Sequence, residues 1–138
     1  MLTGYVPPAR IVVVDDDEDD RMLLRLALNE AAPYLPVTYL NDGAEAIDYL
    51  ATCQDVPALL ITDLNMPLVG GLELLMHIRQ RGPTRTMPTV VLTTSSADED
   101  RQRCCRAGGN AFVTKPVTLP AYIELVSNLI DCWLLVTT

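Results

Sequence analysis

Short apolar runs alternate with longer amphipathic stretches along most of this chain. Residues 10–15 read RIVVVD, an unbroken Ile/Val run closing on charge, which predicts a strand buried on both faces. Over residues 17–32, Met22, Leu23, Leu26 and Ala27 recur at helical spacing, and acidic residues crowd the start, where the helix dipole favours them. Pro33 and Pro36 end that helix. Residues 37–40 predict a second strand, Asn41-Asp42-Gly43 a turn, and Ala44, Ile47 and Leu50 a helix over 43–52. ALLIT at 58–62 predicts a third strand ending at Asp63, and Asn65-Met66-Pro67 with Gly70-Gly71 marks the loop after it. Leu72, Leu75, Met76 and Arg79 carry a third helix to Gly82-Pro83. TVVLT after Pro88 predicts a fourth strand, residues 98–107 a helix poor in apolar residues, and residues 111–113 a short fifth strand. Residues 119–135 form the last helix, with Tyr122, Leu125, Val126, Leu129, Ile130 and Trp133 on one broad face.

Strand and helix thus alternate through five repeats. Strands that lack strict polar alternation and are separated by helices imply an α/β fold with a parallel sheet covered on both faces. No internal repeat, low-complexity segment or long linker divides the chain. The organisation expected is an N-terminal extension over residues 1–9 and a single domain over 10–138 with an apolar C-terminal extension of its last helix.

Composition narrows the function classes. Hydrophobic residues make up 49% of the 138, enough for a core, and aromatics only 5%, so that core is aliphatic. The net charge is −8, with no basic arm and no Lys/Arg cluster, which argues against binding nucleic acid. Cys53, Cys104, Cys105 and Cys132 form no C-x-x-C pair, and His77 is remote from all of them, so a zinc site is not expected. His77 reads as a surface side chain, and the vicinal Cys104-Cys105 pair as helix packing. Without a signal-peptide pattern or an apolar run of membrane-spanning length, a cytoplasmic protein with free thiols and no membrane partner is expected.

In an open parallel sheet, chemistry gathers beyond the carboxyl ends of the strands. The first strand ends in Asp15-Asp16-Asp17, the third in Asp63, the fourth in Thr93-Thr94, and the fifth is followed by Lys115. Neighbouring carboxylates repel one another, and a hard divalent cation such as Mg²⁺ relieves that repulsion while leaving room for phosphate oxygens. One carboxylate can attack phosphorus and become an acyl phosphate. Such transfer needs in-line positioning and neutralisation of the equatorial oxygens, which the cation, Lys115 and the Thr93 hydroxyl would share. Singly, each feature has an ordinary reading: DDDEDD as a solvated helix start, Asp63 as a loop cap, Thr93 as strand filler, Lys115 as surface. Their placement at four strand ends is what points to phosphoryl transfer.

These residues resemble the receiver domain of two-component response regulators. The resemblance rests on Asp15-Asp16 after VVV, Asp63 in TDLNMP, Thr93 in VVLTTS and Lys115-Pro116 in FVTKP, and it spans residues 10–135. Thirty residues separate Asp63 from Thr93 and twenty-two separate Thr93 from Lys115, as in that family; this spacing selects Thr93 over Thr94. The resemblance implies the flavodoxin-like strand order 2-1-3-4-5, which is also that of the chemotaxis receiver. It implies Asp63 as phosphoacceptor and a Mg²⁺ or Mn²⁺ ion on Asp16, Asp63 and the backbone carbonyl of Asn65, with Asp15 assisting through a water. Thr93 and Lys115 would hold phosphoryl oxygens, and Asn65 and Ser95 would tune the phosphoryl lifetime. The donor would be a phosphohistidine on a sensor histidine kinase, with small phosphodonors such as acetyl phosphate also serving.

The same resemblance implies a phosphoacceptor signalling protein rather than an enzyme, one that assists its own phosphorylation and dephosphorylation. Its output would come from a two-state shift in which Thr93 moves toward the phosphoryl group and Phe112 turns inward, altering the face of the fourth helix, fifth strand and fifth helix. No effector domain follows in this sequence, so output would pass through protein contacts or onward phosphotransfer. The last residues, DCWLLVTT, are apolar, and Ile123, Leu134 and Leu135 fall off the buried face of an ideal helix. Stand-alone receivers that resemble this tail partner phytochrome-like kinases and form homodimers through their C-terminal region.

Two other readings use the same residues. Haloacid-dehalogenase-like phosphatases also place an aspartyl nucleophile, a Thr or Ser and a Lys on a parallel sheet; Asp15 would then be the nucleophile and Asp17 the general acid. Against this, Glu18-Asp19 stand where that family has Gly-Thr, and no acidic pair follows Lys115. A pseudo-receiver, acting only as a binding module, would not need all of the residues that are present.

Overall fold

Ile11–Val14 is buried along its whole length because it runs through the middle of the sheet, where only an apolar strand can lie between two helical layers. The structure is a computed structural model that describes residues 9–134. The elements are β1 (Ile11–Val14), α1 (Glu18–Ala31), β2 (Val37–Leu40), α2 (Gly43–Thr52), β3 (Leu59–Asp63), α3 (Gly71–Gln80), β4 (Thr89–Thr93), α4 (Asp98–Arg106), β5 (Ala111–Thr114) and α5 (Leu119–Trp133). The five strands form one sheet in the order β2-β1-β3-β4-β5, and every pairing is parallel. This is the flavodoxin-like doubly wound fold expected from the sequence. The edge strands β2 and β5 are only partly buried; β1, β3 and β4 are buried throughout.

Alternation along the strands divides the core. Ile11, Val13, Leu59, Ile61, Val90 and Leu92 face α1 and α5, which supply Leu24, Leu28, Tyr122, Val126 and Ile130. Val12, Val14 and Leu60 face α2 and α3, which supply Ala46, Leu50, Leu74 and Ile78. Val91 turns toward α4, whose buried residue is Cys104, with Phe112 packed beside it. Register brings the strand ends level: Val14 pairs with Leu40 and with Thr62, Asp63 with Leu92, and Thr93 with Thr114. The residues just beyond these pairs therefore share one edge.

Two helices bury a different stripe from the one their spacing suggested. In α1 the buried residues are Leu24, Ala27 and Leu28, while Met22 and Leu26 are 51% and 45% exposed. The segment MLLRLAL is apolar on adjoining strips, and packing against α5 and the sheet selects the second of them. In α3 the inward residues are Gly71, Leu74, Leu75 and Ile78, and Met76 is exposed. The apolar stripe anticipated off the buried face of α5 is also absent among the described residues. Ile123 and Leu134 are half-buried against the α1/α5 core, and α5 ends at Trp133 because Leu134 already caps it. Leu135 lies outside the described residues.

Loops are fixed by specific bonds. Arg79 donates from Nε to the Gly108 carbonyl (2.9 Å), from Nη1 to the Met87 carbonyl (2.7 Å) and from Nη2 to Asn110 Oδ1 (2.8 Å). It thereby ties the end of α3 to the entrances of β4 and β5. The four cysteines are free: Cys104 is buried, Cys53 half-buried, and Cys105 and Cys132 exposed. His77 is half-buried on α3. No helix among the described residues is long and apolar enough to cross a membrane.

Candidate functional site

The acidic run after β1 is sorted by the backbone into separate tasks. Asp15 is 2% exposed; its Oδ1 accepts the Asp17 N–H at 2.9 Å, and its Oδ2 meets Lys115 Nζ at 2.9 Å. Asp17 is the N-cap of α1, accepting the backbone N–H groups of Asp19 (2.8 Å) and Asp20 (3.1 Å), which would otherwise have no partner at a helix start. Arg21 Nη1 donates to the Asp15 carbonyl at 2.6 Å and locks the turn. Asp16 stays exposed at the cleft.

Asp63 closes β3, so its backbone is fixed by the sheet while its side chain reaches the edge. The start of α3 is pressed against it: a Cβ on Gly71 would stand 2.2 Å from the Asp63 carbonyl oxygen. Lys115, just past β5, is anchored by its backbone N–H on the Thr93 carbonyl (2.8 Å) and sends its side chain back across the sheet edge. There Nζ lies 2.7 Å from Asp20 Oδ2, 2.9 Å from Asp15 Oδ2 and 3.4 Å from Asp63 Oδ1.

Three carboxylates around one ammonium leave the site net anionic, and the proton affinities follow. Burial raises the Asp63 carboxyl to about 6, with the Asp15 charge adding to the rise and Lys115 opposing it. Asp15 is raised too, again by burial first, against the Asp17 N–H and Lys115. Burial disfavours the Lys115 ammonium, but its bonds to Asp20 and Asp15 and the charges of Asp15 and Asp63 outweigh that, so it is held well above its ordinary value. The Tyr122 phenol, buried under this edge, is pushed up to about 12 by desolvation and then by Asp20.

A cleft of about 360 Å³ opens at this edge, lined by Asp16, Asp17, Asp20, Asp63, Asn65, Thr94 and Lys115. Of the residues expected from the sequence, Asp15, Asp16, Asp63, Asn65 and Lys115 come together here. Thr93 and Ser95 do not line the cleft. Thr93 is fully buried at the end of β4, its Oγ1 accepting the Ser95 N–H at 3.1 Å, and the Ser95 hydroxyl donates to Asp100 Oδ2 at 2.6 Å. Thr94 takes the lining position instead. Phe112 packs on the α4 side of the sheet, half-buried, with the Arg101 guanidinium 5.0 Å from its ring centroid. In the sequence Asp20 is only one residue of an acidic helix start; no signal there distinguishes it from its neighbours, because its partner is 95 residues away.

Carboxylate oxygens of Asp15, Asp16 and Asp63 all lie within 4.8 Å of one another, the single such cluster among the described residues. Three oxygen donors at that spacing suit a hard divalent cation. The alternative nucleophile fares worse: Asp15 is sealed under Lys115, and the Asp17 carboxylate is committed to its helix cap.

The model of the response regulator receiver domain matches residues 11–127. The chain belongs to the response regulator receiver domain family. A 14.6 kDa protein of Leptolyngbya boryana is 39% identical to this receiver over 118 residues, covering 86% of this chain and 87% of that one. Response regulator Rcp1 of Synechocystis is 29% identical over 133 residues, covering 93% of this receiver and 90% of its own length. The structure of the Mn²⁺-bound form of Rcp1 superposes with a TM-score of 0.83, at 29% identity, over 95% of this chain and 98% of that one. The structure of the phosphorylated cyanobacterial phytochrome response regulator RcpA superposes at 0.87, with 28% identity, over 96% of this receiver and 98% of RcpA. Receiver domains of this family work with sensor histidine kinases in two-component signalling, which gives this receiver its class of partner.

Proposed function

We propose that this receiver accepts a phosphoryl group onto Asp63 from a phosphohistidine of a sensor histidine kinase. The observation that carries the reading is the contrast between two aspartates: Asp63 lines the open cleft beside Lys115, whereas Asp15 is sealed. In the transfer, an Asp63 carboxylate oxygen forms the new O–P bond as the P–N bond breaks, and the electron pair leaves with the imidazole nitrogen. Asp16, Asp63 and the Asn65 backbone carbonyl, with Asp15 assisting through a water, would hold a Mg²⁺ or Mn²⁺ ion, which supplies positive charge to the phosphoryl oxygens when bound. Lys115 neutralises a further oxygen. Thr93 acts after transfer: its hydroxyl leaves the Ser95 N–H, turns to the phosphoryl group, and frees space for Phe112 to move inward, changing the α4/β5/α5 face. Asn65, at the cleft, and Ser95, on the β4–α4 loop, tune how long the group persists.

Likeness to the phytochrome response regulator RcpA and the bacteriophytochrome response regulator AtBRR supports a phytochrome-like kinase as the donor. Self-association through the C-terminal region rests on the apolar sequence LLV after Trp133 and is read by sedimentation velocity with and without phosphodonor. The test of the central reading is intact mass after incubation with Mg²⁺ and a phosphodonor, either acetyl phosphate or a phosphorylated kinase of the phytochrome type. One phosphoryl adduct is expected on the wild type, and none on Asp63→Asn or with EDTA. An adduct that survives Asp63→Asn and disappears in Asp15→Asn overturns the assignment.

A further inference from the structure

We propose that Asp20 is a positioning residue for Lys115, holding the ammonium on the α1 side of the cleft so that Asp63 stays free for the cation and the incoming phosphoryl group. This deepens the reading of Asp63 as phosphoacceptor and rests on it.

The distances carry the proposal. Lys115 Nζ has three N–H donors and faces three carboxylates. Its contact with Asp20 (2.7 Å) is a charge-assisted hydrogen bond and that with Asp15 (2.9 Å) a close ion pair, while the 3.4 Å to Asp63 is longer than either. The ammonium is therefore drawn away from the carboxylate it is to assist. Asp20 is well built for this task. It sits in the first turn of α1, its N–H held by the Asp17 cap, the Asp17 N–H held in turn by Asp15, and Asp15 joined to Lys115. The ring Asp15–Asp17–Asp20–Lys115 closes through hydrogen bonds, the Asp15–Lys115 ion pair and short stretches of backbone. With side chains 6% and 26% exposed, the Lys115–Asp20 pair is poorly screened by solvent.

Without Asp20, the ammonium has only Asp15 and Asp63 to pair with and moves toward Asp63. Positive charge then stands nearer the cation, and the cation loses affinity. Once Asp63 carries a phosphoryl group, the same side chain can exchange Asp20 for a phosphoryl oxygen, a short displacement within the cleft.

The test compares Asp20→Asn, Asp20→Glu, Lys115→Gln and Asp20→Asn/Lys115→Gln for Mn²⁺ affinity by electron paramagnetic resonance, in the metal-binding protein without phosphodonor. Asp20→Asn is expected to weaken Mn²⁺ about tenfold, the scale on which partners behind the ligands act, with Asp20→Glu recovering most of it. In the Lys115→Gln background the Asp20→Asn effect should largely vanish, since its route is gone. Equal weakening in both backgrounds makes Asp20 act directly on the cation and overturns the proposal, as does no weakening in the wild-type background. Should Lys115→Gln not fold, the Lys115 ammonium resonance decides: in Asp20→Asn it should shift and exchange with water faster, and an unchanged resonance overturns the proposal. Neither readout needs a phosphoryl group. A wild type that binds Mn²⁺ and accepts phosphoryl on Asp63 while Asp20→Asn changes nothing sinks the role of Asp20 alone; a wild type without an Asp63 adduct from any donor sinks the reading beneath it.

Discussion

The α-carbon of Gly71 packs against the carbonyl of Asp63 so closely that a methyl group there would fall 2.2 Å from the oxygen and 2.9 Å from the Leu64 α-carbon. Both obstacles are backbone, one of them in β3, so relief requires α3 to move away from the strand that carries Asp63. Gly71→Ala is expected to lose about 2–3 kcal/mol of stability, the cost of overpacking a tight core contact. Urea denaturation measures the loss, and the rate of adduct formation on Asp63 should fall with it because the carboxylate is displaced.

Asp63 itself makes the apo protein less stable at neutral pH. Its carboxyl is raised from 3.8 to about 6 in the folded state, so the folded form binds this proton more tightly than the unfolded chain. Stability contributed by this group therefore falls as pH rises from 4 to 6 and stays reduced above that. Two pKa units correspond to about 3 kcal/mol. Asp63→Asn should be more stable than the wild type by up to that amount at pH 7.5, with the gap closing by pH 4. Urea midpoints at the two pH values, in EDTA, check both the sign and the window.

Divalent cation should act in the opposite sense. Binding to the folded state alone adds about 2.7 kcal/mol at a hundred times the dissociation constant. Mg²⁺ or Mn²⁺ is expected to raise the melting temperature of the wild type, and EDTA to reverse it. Asp16→Asn, a change at an exposed carboxylate of the cluster, should leave the metal-free melting temperature nearly unaltered and abolish most of the rise. Scanning calorimetry with and without cation separates the two effects.

Arg79 offers a stability prediction away from the cleft. Its guanidinium bonds to carbonyls of Gly108 and Met87 and to Asn110 Oδ1, and Asn110 Oδ1 also accepts the Thr89 N–H at 2.8 Å. Arg79→Ala should cost about 3 kcal/mol, since several charge-assisted bonds to part-buried acceptors are lost together. Arg79→Lys should recover little of it, because an ammonium cannot span acceptors arranged around a planar fork. Chemical denaturation reads the cost, and adduct formation at Asp63 should persist in both variants under folding conditions.

Much of this protein was legible without its structure. A strand that will be covered on both faces must be apolar along its length, so β1, β3 and β4 announce themselves as IVVV, LLIT and TVVL. Parallel strands alternating with helices put their carboxyl ends on one edge, and that brought Asp16, Asp63 and Lys115 into one cleft with Asp15 buried beneath Lys115. These are one-dimensional signals, set by local burial and by chain direction.

The rest depended on who meets whom. Period alone could not choose between two apolar strips of α1; contact with α5 chose Leu24 and Leu28 over Met22 and Leu26. Spacing selected Thr93, and only the structure shows its Oγ1 accepting the Ser95 N–H while its neighbour Thr94 lines the cleft. DDDEDD looked uniform, and only the fold divides it into a sealed partner for Lys115, an exposed cation ligand candidate, a helix cap and the anchor at Asp20. Sequence determines which side chains reach the sheet edge because burial is a local demand. Which of them touch is decided by packing between segments far apart in the chain, and there only the tertiary structure speaks.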